Sequence, residues 1–256
     1  MRENDPFLLF DHFGPIHYEP NGATGVPAHP HCGFEAITYL LGGEVEHKDS
    51  WGGQATIQKG DVQWMTTGSG LIHSELVTEK FKKRGGTMQG LQIWVNLPQK
   101  YKKVKPWYQH ITKDNIPVIK DSKDIEIKVL VGKLKNTKSL IQTYSPVSIF
   151  DVQFSNPNHI NLDVSKNQIA MIYVIDGELQ YVDENIIASK GQMIYFDQSD
   201  DEIKLTSISS NGSYLVLAGE PLNEPVVRHG PFVTNTEGEM KQAMLDYQNG
   251  KMGILS

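Results

Sequence analysis

Short runs in which apolar and polar residues alternate dominate the chain, and glycines separate them. Between residues 34 and 97 these runs are FEAITYLL, GEVEH, GQATIQ, DVQWMT, GLIHSEL and LQIWVNL. The glycines that separate them are Gly42-Gly43, Gly52-Gly53, Gly60 and Gly68. Many short strands at near-regular spacing are typical of a β-sandwich or a β-barrel. Gly-Gly between two such runs also predicts a hairpin turn.

The same pattern recurs about half a chain later. The segment YLLGGEVEH, which begins at Tyr39, matches YVIDGELQY, which begins at Tyr173. Each copy is followed by a Lys-Gly pair that opens another strand, in KGDVQWM at Lys59 and in KGQMIYF at Lys190. Asp-Gly at positions 176–177 is again a hairpin signal. The repeat predicts two copies of one β-fold rather than a solenoid.

The last segment changes to a helical period. Thr236 precedes Glu239 by three residues, which is a capping-box pattern. Apolar residues then recur three or four positions apart, at Met240, Ala243, Met244 and Tyr247. We predict a C-terminal helix over about 237–248 that packs on one barrel. The predicted fold is therefore all-β, with two barrels and a short C-terminal helix, and the predicted domains are residues 1–124 and 125–256.

A cluster of lysines lies between the two copies, in the segment LPQKYKKVKPWYQHI. Its members are Lys100, Lys102, Lys103 and Lys105. We interpret the segment as a solvated connector. The alternative, a patch that binds anions or nucleic acid, fits poorly with the acidic chain.

Composition and charge narrow the classes of function. The chain has 256 residues, of which 39% are hydrophobic and 21% charged, and its formal net charge is -6. It lacks the protein-wide basic field that favours nucleic acids, and no stretch approaches the roughly 18 apolar residues of a membrane span. A single cysteine, Cys32, excludes an internal disulfide and fits a reducing compartment. We expect a soluble cytoplasmic protein that binds neither nucleic acid nor membranes.

Two pairs of polar residues carry the candidate chemistry. His29 and His31 are two apart, so in a strand both imidazoles face the same side. His73 and Glu75 form a second such pair, and Glu35 shares the parity of the first pair if no bulge intervenes. Two antiparallel strands could bring the pairs together, and three imidazoles with a carboxylate suit Fe, Mn, Ni, Cu or Zn. The alternative is that these residues are structural or solvated. Cys32 should face away, although its nearness leaves a redox role open.

The internal repeat offers a comparison within the chain. An ungapped alignment places other residues opposite His29, His31, His73 and Glu75, namely Asp163, Ser165, Lys204 and Thr206. If the fold required the histidines, both copies would carry them. We therefore expect the first set to be functional and the second barrel to hold no metal. We interpret the remaining histidines as structural: His12, His17, His47, His110, His159 and His229.

Several long motifs together resemble the pirin family of bicupins. They are DPFLLFDHFGP, HPHCGFEAITYLLGGEVEH, GDVQWMTTGSGLIHSE, LQIWVNLP and GPFVTNTEGEMKQAMLDYQNGKMG, and they cover nearly the whole chain. The resemblance implies two cupin-type jelly-roll β-barrels, with one metal held in the N-terminal barrel by His29, His31, His73 and Glu75. Glu35 fits the generic cupin spacing His-x-His-x3-Glu-x6-Gly, and we keep it as a candidate to support a ligand. Pirins usually have a further strand before DPFLLFDHF, so either the start codon is assigned late or the first barrel lacks an edge strand.

The resemblance also implies an activity. Some pirins are similar to flavonol dioxygenases, which open quercetin with O2 and release CO. For this chain that implies an oxidoreductase with one divalent transition metal, Fe(II) before Mn, Ni, Cu, Co or Zn, and with Glu75 as the base for the flavonol 3-hydroxyl. Candidates for the pocket wall, or else for plain barrel core, are Trp64, Met65, Ile37 and Tyr39.

Two other classes of function compete with this reading. One is a metal- or redox-dependent regulatory protein that binds a protein partner and has only incidental dioxygenase activity. The other is a cupin sugar isomerase, which the flanking motifs do not favour.

Overall fold

The computed structural model describes residues 4–196 and 202–255, apart from the side chains of Asp121 and Asp163. The chain divides into two compact units. The first barrel contains Pro6–Asn115 and the chain from Leu222 onward, and the second barrel contains Ile116–Pro221. Both units consist mostly of strands, which confirms the predicted all-β class.

The first barrel is made of two antiparallel sheets. Its elements up to residue 111 are β1 (Phe7–Tyr18), β2 (Gly25–His31), β3 (Phe34–Gly42), β4 (Glu44–Asp49), β5 (Gln54–Gln58), β6 (Val62–Thr66), β7 (Leu71–Val77), α1 (Glu79–Arg84), β8 (Gly86–Asn96) and β9 (Trp107–Ile111). Single 3-10 turns lie at Gln99–Tyr101 and Lys113–Asn115. The larger sheet has the order β1-β8-β3-β6-β9, and the smaller sheet has the order β2-β7-β4-β5. Each run from FEAITYLL to LQIWVNL therefore forms a strand, as predicted.

Side chains from both sheets pack together inside the first barrel. Leu40 of β3 and Met88 of β8 belong to the larger sheet, and they form one buried cluster with Val45, Ile57 and Val77 of the smaller sheet. Full burial of each such side chain contributes about 1.5–3 kcal/mol. This shared core holds the two sheets face to face.

The second barrel repeats the topology of the first. Its elements are β10 (Val118–Ser122), β11 (Ile125–Val131), β12 (Lys133–Leu134), β13 (Thr137–Lys138), β14 (Val147–Phe154), β15 (His159–Asp163), β16 (Ile169–Asp176), β17 (Glu178–Tyr181), β18 (Ile186–Ser189), β19 (Met193–Phe196), β20 (Glu202–Ser207) and β21 (Gly212–Gly219). The sheet β15-β20-β17-β18 has the order of β2-β7-β4-β5, and β14-β21-β16-β19 has the order of β1-β8-β3-β6. The repeat seen in the sequence is therefore a repeat of strand order in space.

Gly43 and Gly177 lie at corners between sheets rather than in hairpins. β3 pairs with β6 and β8, whereas β4, which follows directly, pairs with β5 and β7. β16 and β17 likewise belong to different sheets on either side of Gly177. The φ angle is +92° at Gly43 and +84° at Gly177, a region that glycine enters at little steric cost. The glycines are thus needed for a sharp turn, but the hairpin prediction is wrong because the chain crosses to the opposite sheet.

The predicted boundary between domains 1–124 and 125–256 differs from the division in the structure. β10 lies before that boundary but pairs with β11, so the second barrel begins at Ile116. After Pro221 the chain returns to the first barrel as β22 (Val227–His229), β23 (Phe232–Thr234) and α2 (Glu237–Gln248). The C-terminal segment therefore belongs with the first barrel.

Helix α2 occupies the predicted residues and begins with the predicted capping box. The Thr236 hydroxyl accepts from the amide of Glu239 at 3.2 Å, and the Glu239 carboxylate accepts from the amide of Thr236 at 2.9 Å. Met240 and Ala243 are buried in one cluster with Cys32. This apolar packing explains why the segment returns to the first barrel. No helix in the described part of the chain is long and apolar enough to cross a membrane.

The prediction that the segment between the two copies is a solvated connector is wrong for part of it. Lys102 is buried, and its Nζ donates to the carbonyl of Gly33 at 2.6 Å and to Oδ1 of Asn96 at 2.5 Å. These bonds supply the partner that a buried backbone carbonyl requires. Further along, Trp107–Ile111 forms β9 and pairs with β6. The segment therefore completes the larger sheet of the first barrel.

Candidate metal centre

The two predicted pairs lie on neighbouring strands of the smaller sheet. β2 and β7 are antiparallel, and His29 lies directly opposite His73. A register shift between Val26 and His29 places Val26 opposite Glu75. The pairing of β2 with β7, which the sequence could only suggest, brings the histidines of both segments to one place.

Three imidazoles converge at this place, and we call His29, His31 and His73 the histidine cluster. Nε2 of His29 is 2.9 Å from Nε2 of His31 and 2.9 Å from Nε2 of His73. Nδ1 of His29 lies 2.8 Å from the carbonyl oxygen of Pro27, so Nδ1 donates there and Nε2 keeps its lone pair. The Nε2 atoms therefore face a common space, as ligands of one ion would.

Burial keeps the buried members of the cluster neutral. It lowers the pKa of His31 to about 3, and the neighbouring His29 adds to the effect. Burial and the surrounding histidines also hold the pKa of His73 well below its ordinary value. Neutral imidazole is the form that binds a metal. Three imidazole nitrogens that converge on one space form a donor set that suits a transition metal, so the residues fit such an ion.

Glu75 lies in a second group of possible ligands that overlaps the first. The ligand atoms of His47, His73 and Glu75 are within 4.8 Å of one another, as are those of the histidine cluster, and His73 belongs to both groups. The structure thus brings the three predicted histidines together and places the predicted carboxylate beside only one of them. The complete set of four ligands stays a prediction.

Glu35, the alternative carboxylate, has other partners. It is fully buried on β3, and its Oε1 accepts from Nε1 of Trp64 at 3.0 Å and from Oγ1 of Thr66 at 2.8 Å. It belongs to neither ligand group among the described residues. Gly33, at φ +84°, separates β2 from β3, so Glu35 is on the opposite sheet from His29 and His31. The parity argument fails here because the chain turns between the two strands.

His47 is a member of the site that the sequence interpretation missed. It is fully buried on β4 and lies opposite Glu75 in the β4–β7 pair. Its Nε2 is 3.2 Å from Oδ2 of Asp49, and its ring stacks on Tyr108 at 4.1 Å with an interplanar angle of 9°. Burial raises the pKa of Asp49, but hydrogen bonds from His47, Gly53 and Trp51 outweigh it and leave that pKa below its ordinary value. The only sequence signal was a His-x-Asp pair in GEVEHKD, which has no meaning until β4 is known to adjoin β7.

A cavity of about 290 Å³ opens onto Glu75 in the first barrel. Its wall is mostly apolar and comes from both sheets: Phe13, Ile16, Tyr18, Ala23, Val26, Leu40, Val45, Val77 and Met88. A few polar side chains interrupt the wall, namely Asp11, Thr24, Thr38, Gln92 and Glu75. An apolar cavity with a few convergent polar groups is typical of a small-molecule site.

The four residues proposed from the sequence as a pocket wall do not line this cavity. Trp64, Met65, Ile37 and Tyr39 are all buried in the core of the first barrel. Strand β1 instead contributes four residues to the wall, Asp11, Phe13, Ile16 and Tyr18, although the sequence analysis used its segment only for the family resemblance. The alternative stated for these four residues, plain barrel core, is the one that the structure supports.

Cys32 has the surroundings of a packing residue. It is buried with Phe232 and Met240, and its Sγ lies 3.5 Å from the carbonyl oxygen of Gly68. Burial raises the pKa of its thiol to about 11. A thiol with such a pKa stays protonated and is a poor nucleophile at neutral pH, so the redox role left open by the sequence is not favoured.

Both ligand groups lie in the first barrel. At the aligned positions of the second barrel, Ser165 is exposed, and Lys204 lies 4.0 Å from both Asp183 and Glu202 at the surface. Thr206 contacts His159 at 2.8 Å through its hydroxyl. The side chain of Asp163 lies outside the described part of the chain. That the second barrel holds no metal stays a prediction.

Comparison with known proteins shows which family shares this architecture. The Pirin family model matches residues 1–95, and the model of the pirin C-terminal cupin domain matches residues 149–253. The chain belongs to the pirin family. This membership confirms the resemblance carried by the sequence motifs, and with it the two cupin-type barrels.

Relatives of this pirin include bacterial and animal proteins. A Pseudomonas aeruginosa protein, named provisionally as a quercetin 2,3-dioxygenase, is 39% identical over 96% of this chain and 86% of its own. Human pirin is 36% identical over 99% of this chain and 85% of its own. The crystal structure of a quercetin 2,3-dioxygenase from Acinetobacter baumannii matches with a TM-score of 0.93 at 36% identity, over 99% of this chain and 88% of that one.

Proposed function

We propose that this pirin is a metal-dependent dioxygenase that opens flavonols such as quercetin with O2 and releases CO. The observation that carries the proposal is the position of the cavity: its wall is apolar, and it opens onto Glu75 beside His73 of the histidine cluster. The names of the Pseudomonas and Acinetobacter relatives support the same reaction.

We infer that His29, His31, His73 and Glu75 hold one divalent transition metal in the first barrel. Fe(II) is the metal that we expect, and Mn, Ni, Cu, Co and Zn accept overlapping sets of ligands. When bound, the metal would supply Lewis-acid polarisation of the substrate oxygens. The chain contributes three imidazoles and a carboxylate from the adjacent strands β2 and β7.

The cavity residues would bind and orient the flavonol. Phe13, Leu40 and Met88 belong to the apolar wall, which can pack on aromatic rings and exclude water. Asp11 and Gln92 are cross-strand partners on β1 and β8, and both line the cavity. Their side chains can hydrogen-bond the hydroxyls that distinguish a flavonol from an apolar ring system of the same size.

Glu75 would take the proton of the flavonol 3-hydroxyl. It lines the cavity, and a general base must come within about 2.6–3.2 Å of the oxygen that it deprotonates. The carboxylate can hold this proton while the ring opens and then return it to the product. Glu75 is therefore assigned two tasks, to bind the metal and to move a proton.

The test is aerobic turnover of quercetin by protein loaded with each candidate metal. O2 uptake and CO release are measured for the wild type and for Glu75→Gln at matched metal content. We expect Glu75→Gln to lose about 10²–10⁴-fold in rate, because an amide cannot take up the proton. Glu46→Gln, a part-exposed carboxylate on β4, is the control and should retain activity. Equal rates in wild type and Glu75→Gln would exclude Glu75 as the base.

The same experiment separates the dioxygenase from its competitor. A regulatory pirin that acts by binding a partner would turn over quercetin only marginally with every metal. In that case Glu75→Gln would change partner binding only as far as it changes metal occupancy.

A further inference from the structure

The two carboxylate oxygens of Glu75 have different surroundings. Oε1 accepts a very short hydrogen bond from Nε2 of Gln63 and a longer one, at 3.4 Å, from Oγ1 of Thr38. No hydrogen bond from the described residues reaches Oε2. One oxygen is thus saturated by the protein, and the other keeps its lone pairs for a ligand.

The donor to Oε1 is itself held in one orientation. Gln63 is buried, and it is the cross-strand partner of Thr38 in the β3–β6 pair. Its Nε2 also donates to Oγ1 of Thr38 at 3.0 Å, and its Oε1 accepts from the hydroxyl of Tyr108 at 3.1 Å. If the amide rotated by half a turn, its oxygen would face the Glu75 carboxylate. The Tyr108 hydroxyl opposes that rotation, because after it the hydroxyl would face the amide NH2 group instead of the amide oxygen that accepts from it.

Tyr108 is fixed in turn by the residues around it. Its ring stacks on that of His47 at 4.1 Å, and His47 lies 3.2 Å from the carboxylate of Asp49. Asp49 accepts from the backbone amides of Trp51 at 2.8 Å and Gly53 at 2.9 Å. Burial raises the pKa of Tyr108 well above its ordinary value, so its hydroxyl remains a donor. The series of contacts runs from a backbone turn to the Glu75 carboxylate.

We propose that Gln63, oriented by Tyr108, is a positioning residue for Glu75. Its hydrogen bond occupies Oε1, so that Oε2 is the oxygen left to bind the metal and to contact the substrate. The inference rests on the proposed metal centre. Outer partners of a metal ligand typically contribute about 10–100-fold in metal affinity or activity. The competing explanation is that Gln63 and Tyr108 only fill the core between the sheets.

Affinity for Co(II) and its visible absorption spectrum separate these explanations, since both respond to how a carboxylate binds and neither requires turnover. Gln63→Met keeps the length of the side chain but removes the donor. Tyr108→Phe keeps the stacked ring and removes one hydroxyl. Thr38→Ser and Thr38→Val form a further pair, in which only the serine keeps the donor. Tyr195→Phe, on an exposed ring of the second barrel, is the control.

We expect Gln63→Met to weaken Co(II) binding about 10–100-fold and to change the spectrum. Tyr108→Phe should change both in the same direction but less, Thr38→Ser should resemble the wild type more than Thr38→Val does, and Tyr195→Phe should change neither. Denaturant unfolding of the metal-free proteins reports any loss of stability separately. Should Gln63→Met not fold, the Tyr108 and Thr38 variants still decide the question.

Two outcomes would overturn the inference. If Gln63→Met and Tyr108→Phe bind Co(II) as the wild type does, while Glu75→Gln does not, these residues are structural and the proposed ligands stand. If Glu75→Gln itself leaves affinity and spectrum unchanged, Glu75 is not a ligand, and the metal centre and the inference fail together. Absence of quercetin turnover, with the Co(II) results as expected, would reject the dioxygenase alone.

Discussion

His29 and His73 face each other across the β2–β7 pair, with their Nε2 atoms 2.9 Å apart. Because His29 donates from Nδ1 to the carbonyl of Pro27, its Nε2 meets His73 with a lone pair. The strand pairing therefore holds the two ring nitrogens close enough for both to contact one ion. A cation bound there would replace the proton that the two rings can otherwise share, which is why we expect the metal-free and metal-bound proteins to differ in stability.

The first prediction is that His73 is needed for metal binding, because it belongs to both ligand groups. His73→Ala should reduce the metal content from about one ion per chain to almost none, as measured by elemental analysis. Added metal should raise the melting temperature of the wild type, since a ligand that binds only the folded state stabilises it by about 4 kcal/mol at 1,000 times its Kd. His73→Ala should lose that shift, and the exposed His229→Ala should keep it. Full metal content in His73→Ala would contradict the proposed centre.

The second prediction concerns pH and the metal-stripped protein. The pKa of His31 is about 3 in the fold, against 6.5 when exposed, and that of His73 is also lowered. The unfolded chain therefore binds more protons below pH 6.5, so stability is fully present above that pH and is lost as pH falls. The loss should approach about 1.4 kcal/mol per pH unit for each such histidine well below pH 6.5, and about half of that slope is expected at pH 6.5.

Denaturant unfolding between pH 7.5 and 5.5 tests this pH dependence. His31→Gln should reduce the slope of the free energy of unfolding against pH, because one neutral imidazole is removed. His229→Gln, at an exposed position, should keep the slope of the wild type. If His31→Gln had no effect on the slope, His31 would not be held neutral by the fold.

The period-two pattern of the sequence indicated two pairs, His29 with His31 and His73 with Glu75, and the family resemblance joined them into one ligand set. His29 and His31 share a side because they lie in one strand, and His73 joins them because β2 pairs with β7. The same reasoning could not find His47 or Tyr108. Their positions depend on the pairing of β4 with β7 and of β9 with β6, and no local pattern encodes such pairings.

Sequence spacing failed where the chain changes sheets. Glu35 has the right distance from His31, but the turn at Gly33 carries it to the larger sheet, where it meets Trp64. The glycine pair at 42–43 does form the predicted turn, but the prediction of a hairpin was wrong. Glycine indicates the backbone conformation of a turn, and it does not indicate with which strand the next strand pairs.

The third prediction tests the choice of carboxylate. Glu35→Gln should leave the metal content unchanged, since Glu35 accepts from Trp64 and Thr66 rather than facing the histidine cluster. It should destabilise the fold by about 1–3 kcal/mol if the amide leaves a buried donor unsatisfied. Glu75→Gln should differ from it in weakening metal binding, because it removes a proposed ligand. Loss of metal from Glu35→Gln would favour the generic cupin ligand set over the one proposed here.

The fourth prediction tests whether the cavity is the substrate site. Val26 lines the cavity and lies opposite Glu75 in the β2–β7 pair, yet it is 48% exposed, so a larger side chain can be placed there with little cost to the core. Val26→Trp should narrow the entrance and lower kcat/KM for quercetin by at least about tenfold, because a single methylene in a pocket is already worth about 1–3 kcal/mol. Metal content should not change, since Val26 offers no ligand atom. Leu76→Trp is the matched control: Leu76 is 44% exposed on β7 and lies outside the cavity wall. Unchanged kcat/KM in Val26→Trp would mean that the flavonol reaches Glu75 by another route. A loss of metal in that variant would show that the substitution had disturbed the β2–β7 pair instead of the entrance.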